Sequence, residues 1–179
     1  SVIILWMIIP STSLLIFLIV GSHHFGKEDT QFLIIKDSYF NQLLFLLKGS
    51  LIILAPMYFH FDDTISIFKL LLIDNESFYE FLNLIETNKI LLYGIIISTL
   101  SSIILFSKNF ELKKFTIFLD YFSILIINFY FSPLVAFTIY FCFLHSVRHS
   151  ISLMSELDND NLTNGLKIFT KKALPLTIL

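Results

Sequence analysis

Charge is what this chain has least of. Of its 179 residues only 15% are Asp, Glu, Lys or Arg, against about 25% in ordinary soluble domains. That scarcity excludes an average soluble globular protein. No run of Lys and Arg occurs, nor any interleaving of basic with aromatic residues, and the formal charge is −2; no nucleic-acid partner is expected. A single cysteine, Cys142, excludes an internal disulfide and leaves the compartment undecided. It lies in an apolar run, where free cysteine acts as a small hydrophobe. No basic stretch precedes the first apolar segment and no small-residue cleavage site follows it, so a signal peptide is not expected. No internal repeat is visible. Histidine is scarce too, and four of the five fall in two short stretches.

Apolar sequence fills the rest. Hydrophobic residues make up 56% of the chain, 21 of them Phe, and the mean hydropathy is +0.82. A helix needs about 20 mostly apolar residues to cross the hydrocarbon core. Five segments meet that need: Val2–Val20, Tyr39–Phe59, Ile90–Phe106, Phe115–Phe131 and Pro133–Ile151. The expected fold is an all-α polytopic transmembrane helix bundle, one membrane domain over residues 1–179. Ser132-Pro133 joins the fourth and fifth spans in a tight hairpin, with Pro133 suited to the first turn of its helix. Pro10 and Pro56 fall within spans and are expected to kink them. Between the second and third spans, Asp62, Asp63, Asp74, Glu76, Glu80 and Glu86 mix with Ile67, Leu70, Leu71 and Phe78. That mixture predicts short interfacial helices. The chain opens at Ser1 directly in an apolar run and closes in one from Ala173 to Leu179, so it reads as truncated at both ends.

Lysine and arginine orient the bundle. Five alternating spans place Lys27, Lys36, Lys108, Lys113, Lys114, Arg148, Lys167, Lys171 and Lys172 on one side and only Lys69 and Lys89 on the other. The basic side is expected to be cytoplasmic, which predicts a multi-pass protein of the cell membrane. His23 and His24 follow the first span at that side, and His145 and His149 end the fifth span at the same level. His60 lies on the opposite side, about 30 Å away across a 20-residue helix, and reads as an interfacial residue.

His145 and His149 are four residues apart, a spacing that puts side chains about 5–6 Å from each other on one helix face. Taken alone, the spacing admits two readings: a pair of metal ligands, or cations complementing a helix C-terminus together with Arg148. His24 at the same depth favours the metal. Imidazole ligands suit Fe(II), Zn, Cu or Ni, and neutral ligands leave a ferrous ion its full charge. Glu28 and Asp29 either hold the far N–H of a ligand histidine or form a solvated acidic turn. Lys48 lies nine residues inside the second span, where it either pairs with Asp120 or snorkels to the surface.

Three stretches, in order, carry a family resemblance. Ser22-His23-His24-Phe25-Gly26-Lys27-Glu28-Asp29 resembles a Ser-x-x-His-Phe-Gly-x-x-Asp signature. Lys48-Gly49, followed by Pro56 and His60, resembles an Arg-Gly…Pro…His segment, with Lys in place of Arg. Tyr140-Phe141-Cys142-Phe143-Leu144-His145-Ser146-Val147-Arg148-His149 resembles Tyr-Phe-x-x-x-His-Ser-x-Arg-His. All three belong to the Brp/Blh family of integral-membrane β-carotene 15,15′-dioxygenases. The resemblance implies a ferrous ion, Fe(2+), held by four histidines, three of which match His24, His145 and His149. The fourth is expected on a preceding helix, and a chain lacking it is expected to be inactive. His23 becomes a bystander or an outer-shell neighbour beside Glu28, Asp29 and Arg148.

The implied reaction cleaves the central double bond of β-carotene with O2 to give two retinal molecules, available to a rhodopsin in the same cell. A membrane location suits a substrate that resides in lipid, and abundant Phe offers aromatic walls for a polyene. Two other classes compete: a haem-binding subunit, which needs histidines facing each other from separate helices, and a transport subunit, which needs ionisable groups near mid-bilayer.

Overall fold

The structure is a computed structural model and describes residues 2–30, 38–71, 75–107, 115–158 and 160–177. Among these residues every regular element is helical. Lys36, Lys108, Lys113 and Lys114 of the charge count, with Asp74 and the terminal Ile178 and Leu179, lie outside the described residues.

The first apolar segment forms two helices, α1 (Val2–Ile8) and α2 (Pro10–Glu28). Ile9 between them has φ −136° and ψ 66°, and Pro10 begins α2, where a missing N–H costs nothing. The expected kink at Pro10 is thus a helix boundary. α2 also continues past Val20 to Glu28, so His23, His24 and Glu28 ride on a helix rather than a connecting loop.

α3 (Tyr39–Gly49) starts at Ser38, whose hydroxyl accepts from the Asn41 N–H at 3.2 Å. α4 (Leu51–Phe59) follows with Pro56 inside it. Ser50 between them keeps helical angles, φ −60° and ψ −21°, and Tyr39–Phe59 acts as one 21-residue rod. Its interruption lies at Ser50, upstream of the expected kink at Pro56. Two short amphipathic helices follow, α5 (Phe61–Leu71) and α6 (Glu76–Thr87). Asn75 caps α6 by accepting from the Phe78 N–H at 3.1 Å. α7 (Ile90–Ser107) and α8 (Phe115–Tyr130) come next. The hairpin at Ser132-Pro133 leads into α9 (Pro133–Ile139), a π-helical stretch over Tyr140–His145, and α10 (Ser146–Leu157). These three run as one rod of 25 residues. α11 (Leu162–Thr177) closes the described chain and takes in Ala173 and Leu174.

Among the described residues three helices are long and apolar enough to cross a membrane: Tyr39–Phe59, Ile90–Ser107 and Pro133–Leu157. Five spans were expected. The first apolar segment is divided at Ile9. α8 has 16 residues, which at 1.5 Å each reach about 24 Å of a core about 30 Å thick.

α2 and α3 share the broadest helix contact in the bundle, and glycine is the reason. A Cβ on Gly26 would lie 2.8 Å from the Phe45 carbonyl carbon, 2.9 Å from the Gly49 nitrogen, and closer still to the Phe45 oxygen. A Cβ on Gly49 would strike the Ser22 carbonyl and come 2.7 Å from the Gly26 nitrogen. The two backbones therefore touch, the approach that small residues permit between membrane helices. Two apolar clusters flank this contact. Leu14, Met57, Phe68, Phe78, Leu82 and Leu91 tie α5 and α6 to the rods. Leu51, Ile52, Ala55, Tyr121, Ile124 and Tyr140 join α4, α8 and the π-helical stretch.

Candidate metal centre

The Gly26–Gly49 contact sets the last turn of α2 deep in the bundle. Asp29, its C-cap, is only 2% exposed, so the solvated-turn reading of this carboxylate does not hold. Its partners come from the π-helical stretch, whose wider turn brings residues 140 and 145 to one face. Insertions of this kind are frequent at functional sites. The Tyr140 hydroxyl donates to Asp29 Oδ2 at 2.7 Å. His145 Nδ1 lies 3.1 Å from Asp29 Oδ1, and because a carboxylate only accepts, Nδ1 carries the proton. Arg148 Nη1 forms an ion pair with the same oxygen at 3.1 Å, and Nη2 donates to Asp120 Oδ1 on α8. Arg148 is thus a clamp between two buried carboxylates rather than a free cation at a helix end. Burial pushes the Asp29 carboxyl up, but the His145 bond, the charges of Lys48 and Arg148 and the Tyr140 hydroxyl outweigh it and hold it below its ordinary range.

Lys48 is 5% exposed and lies in the fields of Asp29 and Asp120. It does not snorkel. Asp29 joins the expected partner Asp120 among the charges around it, and Arg148 pairs with Asp120 directly.

The imidazoles form a row beside this network. The His24 and His145 ring centroids are 5.9 Å apart at 65°. His145 and His149 are 6.2 Å apart and parallel to within 2°. His149 Nδ1 lies 3.1 Å from Glu28 Oε2, which repeats on the outer side what Asp29 does for His145. Each carboxylate fixes its histidine as the Nδ1–H tautomer and leaves Nε2 as the lone-pair donor, the arrangement by which ligand histidines are held toward a metal. His24, exposed at the end of α2, packs against Phe25 and His145.

An imidazole-bound ion sits about 2.1 Å from its nitrogen, so two rings on one ion have centroids within roughly 6.5 Å of each other. Both neighbouring separations satisfy that limit. The row is open all the same: among the described residues no group of three or more His, Cys, Asp or Glu side chains closes on a single point. Donor type, tautomer and spacing fit a divalent ion, and His24 is the exposed member of the row.

The other histidines sit elsewhere. His23 Nε2 pairs with Gln42 Oε1 at 2.7 Å, outside the row. His60 ends α4, with Nδ1 3.9 Å from Asp63 and a buried Nε2 that has no hydrogen-bond partner among the described residues. It makes none of the contacts of the row.

An apolar cavity of about 260 Å³ abuts the row through Phe25 and Tyr140. The Phe25 ring is 4.8 Å from His145 and the Tyr140 ring 6.0 Å. The cavity continues past Ile52 and Pro56 to Phe68 and Asn128.

Sequence reasoning placed His24, His145 and His149 together, with Glu28, Asp29 and Arg148 next to them. It assigned no role to Tyr140, Gly26 or Gly49. The signal was present: Tyr140 stands five residues before His145, the spacing of one π turn, and both glycines sit inside the motifs.

No curated protein and no solved structure matches the chain. The family model for β-carotene 15,15′-dioxygenase matches residues 1–179, and the chain belongs to that family.

Proposed function

We propose that the chain is a membrane dioxygenase that uses a ferrous ion on His24, His145 and His149 to cleave the central double bond of β-carotene with O2, giving two retinals. The observation that carries the reading is the contact of an apolar cavity with the imidazole row through Phe25 and Tyr140. A ferrous ion bound there would supply the activation of O2 that a side chain cannot. Asp29 and Glu28 keep the two α10-side imidazoles in the ligating tautomer. Arg148 and Tyr140 hold Asp29 in place. Phe25 and Tyr140 form the wall between the ligands and the polyene and exclude water from it.

The cavity lies just below the range of about 300–1,000 Å³ usual for pockets of drug-sized ligands. It therefore holds part of a long hydrocarbon, and the remainder extends along exposed apolar helix faces. Of the four-histidine set implied by the family, His24, His145 and His149 supply three ligands. The excess of basic residues on the side that carries the histidines supports a centre near the cytoplasmic face.

The test is retinal formation in cells that make β-carotene, by the chain alone and joined to a helix that carries a fourth histidine, with each substitution made in the form that yields retinal. His145→Ala and His149→Ala are expected to abolish retinal at unchanged protein level, and His60→Ala to spare it. Retinal at normal yield from either of the first two refutes the assignment.

A further inference from the structure

Resting on the polyene reading of the cavity, we infer that its end remote from the histidines recognises a hydroxyl group, so that ring-hydroxylated polyenes are preferred ligands beside the plain hydrocarbon. The cavity wall is apolar except at few places, and Asn128 is one of them. Its side chain is 5% exposed. Nδ2 donates to the Ile124 carbonyl at 2.8 Å on its own helix. A carbonyl can only accept, which identifies that atom as nitrogen and leaves Oδ1 as the other. Oδ1 accepts no hydrogen bond among the described residues. That oxygen keeps some accessible surface, and an amide oxygen in an otherwise apolar wall favours a ligand that brings it a donor. A hydrocarbon has no donor; a ring hydroxyl does.

The position suits a chain end. Asn128 is eight residues along α8 from Asp120, the residue that Arg148 holds beside the histidines, or roughly 12 Å at the helical rise. Phe59 and Phe129 meet at 5.6 Å, which sets Asn128 level with the end of α4. Thr64, whose hydroxyl donates to the His60 carbonyl at 2.8 Å, lines the cavity from α5 and can accept in turn. The central bond of a polyene beside His145 would thus leave one terminal ring near Asn128.

The sole tryptophan reports on this cavity. Trp6 Nε1 donates to the carbonyl of Leu71 at 2.9 Å, and Leu71 lines the wall. Full chain in lipid nanodiscs is titrated with β-carotene and with its ring-hydroxylated analogue, and Trp6 quenching is read without any turnover. The hydroxylated ligand is expected to bind about three- to tenfold more tightly, the worth of one net hydrogen bond. Asn128→Leu is expected to bring the ratio to one by weakening the hydroxylated ligand alone. Asn128→Met fills the same space and replaces it if Asn128→Leu fails to accumulate. Equal affinities in the wild type, or a preference that survives both substitutions, overturns the inference while leaving the polyene reading intact. Absence of quenching by either ligand overturns the polyene reading as well.

Discussion

Adding one methyl group to Gly26 should disable this protein from the side opposite the chemistry. The Cβ of Gly26→Ala would lie 2.8 Å from the Phe45 carbonyl carbon and 2.9 Å from the Gly49 nitrogen, and nearer to the Phe45 oxygen. All three atoms are backbone, so no side chain can rotate away, and α2 and α3 must separate by roughly 1 Å to restore ordinary contact. Alanine gains about 0.8–1 kcal/mol of helix propensity over glycine, while forced overpacking costs about 1–3 kcal/mol. With backbone on both sides the upper end applies, for a net loss of about 2 kcal/mol. The larger consequence is geometric. His24 and Asp29 lie within three residues of Gly26, and misplacing reacting groups by about 1 Å can cost on the order of a hundredfold in rate. Thermal unfolding in detergent and retinal formation in β-carotene-producing cells measure the two effects. Gly21→Ala is the stability control, because its Cβ would meet only Phe25 Cε2 at 3.9 Å. Its stability should match or exceed that of the wild type. If Gly26→Ala keeps both melting temperature and retinal yield, the close α2–α3 contact does not hold the site.

Asp29→Asn should lower bound iron about 10–100-fold, as loss of an outer carboxylate does, read by metal analysis of purified protein at matched folding. Tyr140→Phe removes one hydrogen bond to the same carboxylate and should cost about 1–3 kcal/mol of stability, with a smaller loss of iron. Asp120→Ala leaves Arg148 with Asp29 alone and should destabilise by about 3–5 kcal/mol, the cost of breaking a buried ion pair, measured by thermal unfolding. Chelation should abolish retinal formation, and Fe(2+) should restore it where Zn(2+) does not.

The apolar runs made the helical class legible, and two of the rods fall close to where hydropathy put them. The first segment departed from expectation because average hydropathy does not register the break that Ile9-Pro10 imposes. α8 follows its expected segment Phe115–Phe131 to within one residue, but that segment is itself shorter than the about 20 residues a crossing needs. The imidazole row was legible because its members sit at helical spacing or in ordered motifs. The Asp29 network was not. Its members are separated by up to 119 residues, Asp29 to Arg148, and meet only because two glycines let α2 and α3 touch and a π turn aligns Tyr140 with His145. Nor could composition tell a buried Lys48 from one that snorkels; that follows from the carboxylates around it.

Iron K-edge absorption of the purified, iron-loaded protein asks the central question most directly: whether imidazoles from α2 and from the Pro133–Leu157 rod share one ion. The account predicts iron bound near one per chain with several imidazole ligands, and loss of that iron in His24→Ala, His145→Ala and His149→Ala alike. Iron retained with an unchanged spectrum in any one of the three would contradict it.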